Sequence, residues 1–218
     1  MGIIRRTLAN NITTSGVLAS SGINNVSLNN VTSIPASIET GAIVLLNTAD
    51  FDGETSASWT SQFDSSTYKE YWWVFNNVRP SVDDGDFTFN FSTDGGSSYN
   101  VSKAQTSQYQ TNNEADDTNA LSYNTNSDSA QDTNDIILMD NVGNEADQGF
   151  SGIFKLMNPA ASVNKQFFVD LTKNSGDDYS VYWFYSGVAY TTSEINGFIV
   201  SGYGNNISDG TIKMYGIK

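Results

Sequence analysis

An all-β fold, a jelly-roll-like antiparallel β-sandwich preceded by an extended N-terminal arm, is predicted by three features of the sequence. From residue 41 onward, short β-branched and aromatic runs alternate with clusters of Gly, Asn, Asp and Ser. Phe87, Phe89 and Phe91 alternate with Thr88 and Asn90, giving that strand one buried and one wet face, as sheets of a sandwich require. No segment carries an apolar stripe of helical period. A chain of 218 residues with no Cys fits a jelly roll better than an immunoglobulin domain, which needs only about 100 residues and usually carries a Cys pair.

The arm comes first, over residues 1–38. It holds Arg5 and Arg6 and no acid, whereas residues 39–218, the body, hold 24 acids and 8 bases. The arm is therefore +2 and the body −16. Asn24-Asn25-Val26-Ser27-Leu28 and Asn29-Asn30-Val31-Thr32-Ser33 are near-copies of a five-residue unit that matches neither helix nor simple strand, and Pro35 closes the segment. Extended, such an arm reaches on the order of 100 Å. Its spaced aliphatics Ile12, Val17, Leu18, Ile23, Val26, Leu28, Val31 and Ile34 are the expected anchoring residues, docking on a neighbour; the alternative is a disordered tail.

In the body about ten strands are expected, over 41–48, 57–61, 71–78, 86–92, 99–105, 135–140, 149–158, 166–172, 179–191 and 195–202, with 211–217 closing the chain. Residues 105–134 carry five acids, no base and almost no large aliphatics. They read as a surface excursion, interrupted by a weak strand around 120–123, because thirty structureless residues are unusual inside a domain.

Composition removes much of catalytic chemistry. With no Cys and no His there is no disulfide, Cys/His zinc site, haem ligand, Ser-His-Asp triad or cysteine nucleophile. Carboxylate chemistry and oxygen-ligated calcium are what remain. A net charge of −14 opposes nucleic acid and anionic membranes as partners, and no window approaches the roughly 20 apolar residues of a membrane helix. The opening MGIIRRTLANNITTSG has no apolar run of signal-peptide length.

Four motifs remain. Ser92-Thr93-Asp94-Gly95-Gly96-Ser97-Ser98-Tyr99 resembles the Asp-box hairpin; Ser92, Asp94, Gly96 and Tyr99 are expected to shape a turn and no catalytic centre, since Asp bonds the turn backbone and Gly takes positive φ. Asp83-Asp84-Gly85-Asp86 and Asp50-Phe51-Asp52-Gly53-Glu54 suit either calcium or self-bonded turn carboxylates, of which the second is the commoner; no cofactor is expected. Glu70 and Glu194 adjoin hydrophobic strands and would be the acids of a glycoside hydrolase. Tyr71, Trp72, Trp73, Tyr182, Trp183 and Tyr185 place aromatics on both faces of their strands, so one face is core and the other a subunit interface or a glycan-stacking platform.

Taken together, residues 63–68, the aromatic run Tyr71 to Pro80, Phe89 to Gly96, and the ending Ile195 to Phe198 with Gly210 to Ile217 resemble a family of virion structural proteins of marine tailed bacteriophages, of cyanophage and pelagiphage type, often labelled tail-fibre proteins. The resemblance implies a jelly-roll structural module of the virion and carries no catalytic residue across. With the arm beside it, the expected role is that of an exterior appendage, a homotrimer held to other virion proteins by the arm and touching host cell-surface polysaccharide. A capsid decoration protein of cement or head-fibre type is the alternative placement, and a carbohydrate-binding module or glycoside hydrolase the alternative class.

Overall fold

The computed structural model describes residues 42–177 and 179–218. The aliphatics assigned to the arm, Ile12 to Ile34, therefore lie outside the described residues. Thirteen strands are found among the described residues: β1 (Ile43–Asp50), β2 (Ser56–Trp59), β3 (Glu70–Pro80), β4 (Gly85–Ser92), β5 (Lys103–Asn113), β6 (Asn119–Tyr123), β7 (Ser129–Asp132), β8 (Ile136–Val142), β9 (Gly149–Met157), β10 (Lys165–Asn174), β11 (Tyr179–Ala189), β12 (Gly197–Tyr203) and β13 (Ile207–Ile217). They form two antiparallel sheets packed as a sandwich. The large sheet runs β1-β13-β3-β9-β10-β11-β5-β6, with β7 also on β5, and the small sheet runs β2-β12-β4-β8.

Setting aside β5–β7 and β10–β11, the first four strands pair with the last four in reverse order: β1 with β13, β2 with β12, β3 with β9 and β4 with β8. This is one long hairpin rolled into two layers, the jelly-roll path. The two segments set aside both join the large sheet, which they extend by β10, β11, β5 and β6 beyond β9. The two sheets are consequently unequal in width, nine strands against four.

Alternation explains the core. Phe87, Phe89 and Phe91 of β4 and Phe198 of β12 point from the small sheet towards Trp73 of β3, Phe154 of β9 and Phe167 of β10, all buried. Their rings lock edge to face or tilted: Phe89 lies 4.9 Å from Phe154, and Trp73 lies 4.1 Å from Phe198. Each such contact adds about 0.5–1.5 kcal/mol to the area buried.

Three expectations need correction. β4 has no wet face: Thr88, Asn90 and Ser92 are buried as well. The chain after the Asp-box turn folds back over them, and the Asn90 amide donates to the carbonyls of Tyr99 and Thr133 and to Asp135 Oδ1. The stretch 105–134 is also more ordered than a surface excursion. β5 continues to Asn113, paired with β11 along its whole length and with β6 and β7 on its other side. A backbone ladder needs no aliphatics, so a Gln/Thr/Ser/Asn-rich strand gave little composition signal.

The Asp-box turn forms, but it carries the chain from β4 in the small sheet to β5 in the large one, so the strands beside it are not the paired hairpin its sequence predicts. Asp94 Oδ1 accepts from Ser92 Oγ at 2.7 Å and from the Ser98 amide at 2.9 Å, and Asp94 Oδ2 accepts from Ser98 Oγ at 2.6 Å. Gly95 and Gly96 take φ of 70° and 86°, which an L side chain adopts at a cost. These hydrogen bonds, led by those from Ser98 and Ser92, hold the Asp94 carboxyl down at about 2. Its folded value lies below its unfolded one, so its contribution is complete above about pH 4 and is lost as pH falls through about 2. Asp94→Ala should lower the melting temperature at neutral pH, and the gap from wild type should close as melts are repeated from pH 4 towards pH 2.

Three buried lysines pin the added strands. Lys103 of β5 donates to Asn90 Oδ1 and the Asn134 carbonyl, Lys165 of β10 to the carbonyls of Thr191 and Ser193, and Lys173 of β10 to those of Asp140 and Asn141. A buried ammonium survives only with such partners.

Candidate functional site

The unequal sheets leave a cleft. β8 forms one edge of the small sheet and lies over β10 and β11, as the bonds from Lys173 Nζ to Asp140 and from Tyr185 Oη to the Leu138 carbonyl show. Beyond that edge the inner faces of β11 and β5 run on uncovered by it. Trp183, Val181 and Tyr179 of β11 and Tyr109 and Thr111 of β5 thus face a cavity of about 430 Å³ rather than a second sheet. The opposite wall is Asp140 and Asn141 of β8, the turn at Asn124, Thr125 and Asn126, and Asp84 of the β3–β4 turn. That volume lies within the usual range of small-molecule sites, roughly 300–1,000 Å³.

At the bottom of the cleft the Trp183 and Tyr109 rings lie 5.8 Å apart at 34°. Trp183 Nε1 donates to Ser107 Oγ at 2.7 Å, which fixes the indole. Lys173 sits 5.5 Å from the Trp183 ring centroid and 3.3 Å from Asp140 Oδ1. With two backbone carbonyls taken as well, its three N–H donors are all committed. Burial pushes the Asp140 carboxyl up and the Lys173 ammonium down, each opposed by attraction to the other. Asn124, itself buried, offers Nδ2 to Asp140 Oδ2 at 3.4 Å and accepts the Asn126 amide at 2.9 Å. The cleft therefore combines an aromatic wall with a fixed, partly desolvated carboxylate and an amide beside it.

The aromatic residues singled out from sequence divide between the two faces of the large sheet. Tyr71, Trp73, Trp183 and Tyr185 are buried on the inner face, and only Trp183 of these lines the cleft. Trp72 and Tyr182 point outward. Trp72 Nε1 donates to Glu70 Oε2 at 3.1 Å and its ring lies 4.9 Å from Lys155 Nζ. Tyr182 Oη donates to Asp170, and its ring stacks 5.3 Å from Phe184. Across the ladders Trp72 faces Tyr215 and Lys155, and Lys155 faces Phe168. With Leu45 about half exposed opposite Tyr215, the outer face bears a semi-apolar band.

Glu70 and Glu194 are not brought together at this cleft; neither lines it, and Glu70 is engaged by Trp72 on the outer face. The two acidic turns bond backbone instead: Glu54 accepts the Asp52 amide and Asp86 accepts the Asn141 amide. No group of three or more Asp or Glu placed to hold a metal ion occurs among the described residues.

Lys173, Asp140, Asn124 and Tyr109 escaped the sequence reading. Lys173 carries the one usable signal, a base within a strand that otherwise alternates apolar and polar residues, in a body with few bases. Tyr109 sits in the polar stretch whose strand was itself illegible.

No protein-family model matches the chain, and no curated protein matches it. Among solved structures, a protein of unknown function from Bacteroides ovatus aligns with a TM-score of 0.27 and 8% identity, over 45% of this chain and 44% of that one. An alignment at that level carries no argument about fold or function.

Proposed function

We propose that the chain is a non-enzymatic structural subunit of a tailed-phage virion, an exterior appendage that its N-terminal arm anchors to other virion proteins. The observation that supports this reading is where the motifs of the resemblance fall. The run Tyr71 to Pro80 is β3, within the large sheet; Phe89 to Gly96 is the end of β4 with the turn that follows it; Thr211 to Ile217 lies in β13, which joins β1 to β3. All three are fold-making pieces, as a structural module requires. The band around Trp72, Tyr215 and Phe168 on the outer face suits self-association into a trimer, because aromatic residues are enriched where subunits meet.

The arm carries the test. Its aliphatics gain burial worth roughly 25 cal/mol per Å² only once docked. Deleting residues 1–34 should leave the melting temperature of the body unchanged and abolish incorporation into particles. Val26, Leu28 and Val31 changed together to Ser should weaken incorporation in the same direction, whereas Arg5 and Arg6 should matter less, since exposed charges are screened at physiological salt. Truncated protein loading at normal copy number would defeat the anchoring role.

A further inference from the structure

We propose that the cleft between the β8 edge and the inner faces of β5 and β11 is a saccharide-binding site taking one or two neutral sugar rings. The proposal goes beyond the virion reading and does not depend on it, because it rests on the cleft alone.

Sugar rings have two chemical faces, axial C–H groups that behave as apolar surface and a girdle of hydroxyls that donate and accept. The cleft offers a counterpart to each. Tyr109, half-buried, presents the aromatic face, backed by the buried Trp183 ring that its hydrogen bond to Ser107 holds rigid, and Tyr combines large apolar area with a polar tip at low entropic cost. Facing them, Asp140 presents a carboxylate that Lys173 holds in place, so it accepts from adjacent hydroxyls without first having to be ordered. Asn124 Nδ2 makes only a long contact to Asp140, at 3.4 Å, and retains capacity to donate to a ligand oxygen.

Charge narrows the class. Asp84, Asp140 and Asp177 line the cleft, and its lysine has spent every donor on Asp140 and Asn141. No cation lining the cleft is left to pair with a carboxylate or sulfate, and the −16 body repels them. Neutral saccharides are therefore favoured over uronic acids, sialic acids or sulfated sugars. The open cleft's volume of about 430 Å³ holds one or two rings and no longer chain, although a polysaccharide end or side branch fits.

The location follows from the fold. One wall belongs to pieces added to the eight-strand jelly roll, β5–β6 and β10–β11, and it closes against β8 of the roll and the β3–β4 turn.

The test uses the full chain on an array of neutral, acidic and amino oligosaccharides, followed by calorimetric titration with the neutral disaccharides that score. Tyr109→Ala and Asp140→Asn should each weaken binding at least about tenfold. Thr111→Trp, which fills the cleft from β5, should abolish it. Melting curves establish that each variant is folded, and Thr111→Trp covers the case in which Asp140→Asn is not. Tyr182→Ser on the outer face should leave binding intact. The proposal is overturned if no neutral sugar binds at millimolar concentration, or if anionic glycans, amino sugars or phosphocholine bind better than neutral ones. It is equally overturned if folded Thr111→Trp binds as wild type, or if Tyr182→Ser removes binding.

Discussion

Gly152→Ala is expected to destabilise the body by at least about 3 kcal/mol, enough to remove much of the stability of an ordinary domain. Gly152 lies in β9, paired with Phe75 of β3 on one side and Leu171 of β10 on the other. Its φ is 143°, and a Cβ there would lie 2.1 Å from the Asp170 carbonyl oxygen and 2.8 Å from Leu171 Cα. Those are backbone atoms and cannot swing aside as a flexible side chain would. Relief requires parting β9 from β10, and every strand of the extension, β10, β11, β5 and β6, hangs on that junction. Chemical denaturation should show a much lower midpoint with the slope preserved, or no soluble protein. A variant within 1 kcal/mol of wild type, an outcome about a third the size expected, would mean that the two strands do not approach so closely.

Lys173→Met should cost about 3 kcal/mol, because it leaves Asp140 buried without its cation and two backbone carbonyls without a donor. The pair is not itself a large source of stability. Asp140 is shifted up and Lys173 down, both principally by desolvation, so folding disfavours each charge and their attraction repays only part of that. The signs fix the pH response. A carboxyl raised in the folded state makes the pair's contribution fall as pH rises from the unfolded value near 4, and a lysine lowered in the folded state makes it recover as pH rises towards the unfolded value near 10.4. Lys173→Met with Asp140→Leu should accordingly be less harmful than Lys173→Met alone, which a double-mutant cycle by denaturant melting would measure. Equal or greater loss in the double variant would show that the ion pair stabilises outright.

What the sequence disclosed was what periodicity encodes. β4 alternates Phe with polar residues and β3, β9 and β13 carry dense aromatic and aliphatic runs, so their positions were legible, as was the Asp-box turn, whose Asp94 bonds lie within a few residues. Whatever depends on long-range pairing was not. β5 is polar and stands as a strand only because β11 supplies a ladder from the far side of the chain. Asn90 looked solvent-facing because the segment that covers it returns from residues 99 and 133. The cleft is assembled from turns and strands spread between residues 84 and 183, and no spacing rule links Tyr109 to Trp183 or Asp140 to Lys173. Carboxylates in turns were conspicuous in the sequence, yet the buried carboxylate of the cleft lies at the end of the hydrophobic run Ile136 to Met139.

The rolled hairpin also dictates when each strand can find its partner during synthesis. Its pairs are nested, with β4 and β8 innermost and Ile43 meeting Ile217 at the outermost. As the chain leaves the ribosome, β1, β2 and β3 emerge first and wait longest, since their partners β13, β12 and β9 are made in the opposite order. Translation at roughly 5–20 residues per second leaves β1 without β13 for many seconds. Through that interval an aromatic strand such as β3 stands with open edges, a state prone to pairing with the wrong chain. Closure of the sandwich therefore waits until β13 has emerged, and its yield should fall as the concentration of nascent chains rises.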